Sequence, residues 1–74
     1  MRDLSKFRAS ARLVWALRQS PLTAAQLAAP VALTATRISE IVHRKPFGAA
    51  RLLKVLALAA SVGVPTEHAT VRVR

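Results

Sequence analysis

Two threonines, Thr23 and Thr34, punctuate the stretch Leu22–Lys45, and this stretch constrains the fold more than any other part of the chain. Each hydroxyl is placed to accept a hydrogen bond from an orphan amide in the first turn of a helix that follows it. The spacing predicts two short helices joined by a tight turn, the first over about Ala24–Ala29 and the second over about Ala35–His43. Leu27 and Val31 on the first can face Ile38, Ile41 and Val42 on the second, which gives a small shared core. Ala35, Thr36, Arg37, Ser39, Glu40, His43 and Arg44 then form the outer surface of the second helix. Pro30 falls where the first helix would make its last turn. It lacks an amide and clashes with the preceding turn, so the first helix should be short or distorted at its end.

The segment resembles the helix-turn-helix of the lambda-repressor/Cro-like (XRE-type) family, whose pattern runs roughly L-T-Q-x-x-L-A-x-x-L-G-V-S-x-x-x-I-S-x-I-x-x-G-K. Leu22, Thr23, Leu27, Ala28, Ile38, Ser39, Ile41 and Lys45 fit that pattern without a gap. Val31 and Leu33 are conservative replacements, and Thr34 stands where the family has its cap. Ala24 replaces the usual glutamine, Ala32 replaces the turn glycine, and Pro30 is a further departure. The resemblance implies a mainly α fold of four to five short helices around the helix-turn-helix, with a C-terminal strand available for dimerisation. It also implies binding to double-stranded DNA, at an inverted-repeat operator if the chain is a homodimer.

Charge agrees with that partner. Twelve Lys/Arg against three Asp/Glu give a net charge of +9, which attracts a polyanion, most commonly nucleic acid. A merely solubilising cationic surface is the plainer alternative. A membrane is the other polyanion, but the longest apolar run, Val55–Ala60, is far shorter than the roughly twenty residues a bilayer span needs. No secretion signal is visible, so a cytoplasmic protein is expected. With 74 residues and a hydrophobic fraction of 53% that leans on alanine, one domain with a thin core is expected, and oligomerisation would help it. Cysteine is absent, so neither a disulfide nor a thiolate metal site contributes.

Residues 1–8 read as a basic arm or as the start of a helix capped by Asp3 or Ser5. Leu4, Phe7, Ala11, Val14 and Leu17 recur at helical spacing, which predicts a helix over about Leu4–Gln19, stopped by Ser20-Pro21. Trp15 lies beside its apolar face and is read as a core or subunit-contact residue rather than a base-stacking one. Pro46-Phe47-Gly48 breaks the pattern, with Phe47 expected to plug the core. A longer helix follows over about Ala49–Val62, with Leu52, Leu53, Val55, Leu56, Ala59, Ala60 and Val62 as an apolar band and Arg51 and Lys54 outside. Gly63 and Pro65 end it. Within the tail, residues 66–74, Ala69–Arg74 alternates apolar and polar as a half-buried strand does. No second strand is evident, so Val71 and Val73 are expected to pair with the same strand of another copy. A frayed basic tail is the alternative.

On the second helix, Arg37 can present a bidentate fork to guanine, worth roughly 1–3 kcal/mol of discrimination. Ala35 and Thr36 can offer methyl and hydroxyl contacts to base edges. Glu40 could accept from a cytosine amino group or orient Arg37 or Arg44, and the orienting role is favoured because an unpaired carboxylate beside phosphates is unfavourable. Thr23, Thr34, Ser39, Arg44 and Lys45 are candidates for positioning contacts to the DNA backbone. His43 occupies a position whose side chain reaches a phosphate in the family; a solvated surface histidine is the alternative.

Catalysis finds no support in the sequence. His43 and His68 lack a visible carboxylate pair, three acids do not supply both a catalytic pair and a metal cage, and Gly48 and Gly63 make no phosphate loop. No catalytic residue, cofactor or metal is expected. The leading expectation is a sequence-specific regulator of transcription, most simply a dimeric repressor of phage, plasmid or antitoxin type that acts by occupancy. The alternative is an interaction module that uses the same scaffold to bind a partner protein.

Overall fold

Ser10 decides where the first helix begins. Its side chain accepts a hydrogen bond from the Leu13 amide, so helix α1 runs Ala11–Gln19 in the computed structural model, which describes residues 6–73. The expected helix from Leu4 is therefore corrected. Lys6–Ala9 forms strand β1, and Phe7 belongs to a strand in spite of its helical spacing from Ala11. Leu4 and the expected caps Asp3 and Ser5 lie outside the described residues.

The tail is a strand, β2 (Thr70–Val73), but its partner is not the one expected. It pairs antiparallel with β1 of the same chain, setting Phe7 opposite Arg72 and Arg8 opposite Val71. A second copy is thus not needed to satisfy this ladder. Residues directly opposite share a face of the sheet, so Lys6 and Arg8 lie with Val71 and Val73, away from the buried Ala9. The Arg72 guanidinium stands 5.6 Å from the Phe7 ring centroid. The other edge of β1 meets the chain before the last helix. Phe7 and Phe47 exchange backbone hydrogen bonds of 2.9 and 2.8 Å, and their rings stack at 6.2 Å.

Between these elements lie helices α2 (Ala24–Ala28), α3 (Ala35–Val42) and α4 (Ala49–Ser61). Thr23 opens α2 with a capping box: its hydroxyl accepts from the Gln26 amide while the Gln26 side chain accepts from the Thr23 amide. Pro30 ends the regular helix as expected, and Ala29–Val31 tightens into a 3-10 turn. All three helix ends then use one device. Ala32, Arg44 and Gly63 take left-handed backbone at φ 57, 56 and 81°. The amide after each reaches back to a carbonyl of the last turn, Leu33 to Ala28, Lys45 to Glu40 and Val64 to Ala59, at 2.9–3.0 Å. These are Schellman closures, and two of the three lack the usual glycine.

The core collects one face of every helix. Leu13, Val14 and Leu17 of α1 meet Leu27 and Ala28 of α2, Ile38 and Ile41 of α3, and Val55, Leu58 and Ala59 of α4. Ala9, Phe47, Val64 and Ala69 close it from the strands and connections, Phe47 as the expected plug. Of the two roles expected for Trp15, the core position is corrected, because the side chain is 65% exposed, and the expected apolar band of α4 is corrected at Leu53, which is 77% exposed. Among the described residues, no helix is long and apolar enough to cross a membrane.

Candidate nucleic-acid interface

The exposed side of α3 carries the residues expected to meet DNA. Ala35, Thr36, Arg37 and Ser39 are open to solvent, and Glu40 is partly covered. The Thr34 hydroxyl caps the helix by accepting from the Arg37 amide at 3.2 Å. A hydroxyl used this way still holds its own proton to donate. One turn in, Arg37 Nη1 donates to Glu40 Oε1 at 2.9 Å, so the carboxylate orients this arginine. Arg51 of α4 approaches the same oxygen at 3.6 Å. The Arg37 hydrogen bond holds the Glu40 carboxyl below the usual carboxylate range; the charges of Arg37, Arg51 and Lys45 act in the same direction, against partial desolvation.

Beside this pair a cleft of about 440 Å³ opens between the start of α3 and the first turns of α4, lined by Thr34, Arg37, Gly48, Arg51 and Lys54 among others. Lys54 Nζ donates to the Ala32 carbonyl at 3.2 Å, tying α4 to the turn that precedes α3. Arg51 and Lys54 were not among the expected site residues. Their spacing of three reads equally well as an ordinary solvated face of α4. Only the packing of α4 against that turn brings their charges to Arg37.

The far end of α3 is arranged differently. His43 Nδ1 lies 2.7 Å from the Ser39 carbonyl. A carbonyl can only accept, so Nδ1 donates this bond. Arg44 Nε donates to the Ala9 carbonyl at 2.9 Å, so part of its guanidinium is engaged in fastening β1 to the end of α3. Lys45 is exposed immediately beyond. Thr23 stands apart at the start of α2, and Val71 and Val73 lie on β2. Among the described residues, no group of three His, Asp or Glu side chains is placed to hold a metal ion.

The arrangement offers hydrogen-bond donors, methyl groups and one pre-oriented guanidinium on a short convex helix, with further cations on the adjoining helix. Compared with known proteins, the chain matches no protein family, no curated protein and no solved structure.

Proposed function

We propose that the chain is a sequence-specific double-stranded DNA-binding regulator, most simply a dimeric repressor, with α2, the turn and α3 acting as a helix-turn-helix. The observation that carries this reading is the Glu40-held Arg37 on the exposed N-terminal half of α3. A guanidinium fixed in one geometry gives up less side-chain freedom on binding guanine. In this reading α3 enters the major groove, where Arg37 reads one base and Ala35 and Thr36 contact neighbouring base edges. Glu40 acts through Arg37. Phosphates take the Thr34 hydroxyl, Ser39, His43 and Lys45, and Thr23 from α2. Arg51 and Lys54 join them across the cleft between α3 and α4. Arg44 serves both β1 and the backbone.

Selection of bound duplexes from a random DNA pool, read by sequencing, tests the reading. An enriched inverted repeat, with half-site centres about one helical turn or roughly 34 Å apart, is the expected result. A pool with no enriched motif overturns it and favours the protein-interaction alternative.

A further inference from the structure

Trp15 projects from α1 with 65% of its surface exposed. A groove of about 450 Å³ opens beside it, formed by the end of α1, the start of α2 and the end of α4, with Leu22, Leu27, Pro30 and Val62 among its walls. Among the described residues, no charged side chain lines this groove. The groove on the opposite side of Trp15 contains Arg18, His43 and Arg44, and the cleft beside α3 contains Arg37, Arg51 and Lys54. We infer that the Trp15 groove is a self-association surface, in which Trp15 of each copy inserts beside Leu22 in the groove of the other.

Charge limits where a second copy can sit. Two chains of net charge +9 repel, and the opposition is smallest where the facing walls carry no cation. Arg18 borders Trp15 on its other side, but the described walls of this groove meet that condition. The edge of β2 does not, because it carries Arg72 and lies beside Lys6 and Arg8, and sheet extension would set like charges together. Geometry argues for a second copy as the occupant. An isologous contact requires one patch to hold both the projecting group and its receptor, and here Trp15 is itself a wall of the groove. A tryptophan contributes about 150–250 Å² toward the roughly 800 Å² per partner of a stable interface. Trp15 and Leu22 therefore form the centre, with Gln19 and Ser20 as polar walls and Arg18 at the edge beyond Trp15. This contact is defined in the absence of DNA, so its failure and the failure of the DNA reading are separate results.

Sedimentation velocity of the full chain without DNA, over a range of concentrations, is the test. Wild type is expected to pass from monomer to dimer. Trp15 is the sole tryptophan, so its emission should move to the blue over the same concentrations. Trp15→Lys and, independently, Leu22→Lys should weaken association by about tenfold or more, as loss of a central anchor does. Far-UV circular dichroism should confirm that both variants remain helical, as substitution of exposed side chains allows. Val71→Lys should leave association unchanged. A wild-type chain that stays monomeric overturns the inference and leaves the groove to a different occupant. A dimer that survives both groove substitutions, or is dissolved by Val71→Lys, overturns it as well.

Discussion

Ala32 and Arg44 hold left-handed backbone at φ 57 and 56°, a conformation that costs a non-glycine residue roughly 1–2 kcal/mol. Ala32→Gly relieves that strain, less the added flexibility of glycine in the unfolded chain. It is expected to raise stability by about 0.5–1 kcal/mol in urea denaturation. A destabilised variant would show that the turn between α2 and α3 is not left-handed. Arg44→Gly should gain less, because its Nε bond to the Ala9 carbonyl goes with the side chain. The two positions differed in legibility. Ala32 stands out at once against the glycine of the family pattern. Arg44 replaces a glycine there too, but a polar residue at a helix end also suits a phosphate contact, which hides its backbone role. The orienting role of Glu40 was legible from its spacing to Arg37; the approach of Arg51 depends on how α4 packs. The sign of the Glu40 effect follows from its lowered pKa. Its contribution is present above the unfolded carboxylate value and is lost as pH falls through the lower folded value. Glu40→Gln should thus be less stable than wild type at neutral pH, with the difference disappearing in strong acid. A difference that does not change with pH would contradict the ion pair.

At the scale of elements, α2, α3 and α4 were legible because caps and stops bracket them: Thr23, Thr34, Pro30 and Gly63 each act within one turn of where they stand. Strand β1 was not legible. Four residues are too few for alternation to compete with a helical pattern that continues into α1, and the deciding bonds come from far along the chain. Ser10 donates its amide to the Ala69 carbonyl at 2.9 Å and its hydroxyl to the His68 carbonyl, while Phe47 pairs with Phe7. The length of α1 is therefore set by tertiary contacts. Trp15 was placed beside the apolar face by its spacing, and its exposure follows from which neighbours that face receives. Because β2 belongs to the fold of its own chain, its removal should act on stability before assembly. Deleting residues 70–74 should cost about 2–4 kcal/mol, from several ladder hydrogen bonds at roughly 1 kcal/mol each, seen as an earlier midpoint in denaturant. A truncated chain of undiminished stability would contradict the β1–β2 pairing.

At the scale of the whole molecule, the grooves divide by charge. The cleft beside α3 is cationic, and the groove that Trp15 shares with Leu22 has no charged wall among the described residues. The excess of basic residues was plain in the sequence, but its division between faces was not, because helices of about one to four turns mix both faces within a few residues. In the proposed function, α3 reads bases through Arg37 while the residues around it position the duplex. Binding of wild type, Arg37→Ala and Lys54→Ala to single-base variants of the selected site tests it most directly. Arg37→Ala should remove preference at one base pair per half-site, worth roughly 1–3 kcal/mol. Lys54→Ala should weaken all sites alike and reduce the dependence on salt. An Arg37→Ala chain that ranks the site variants as wild type does would contradict the account.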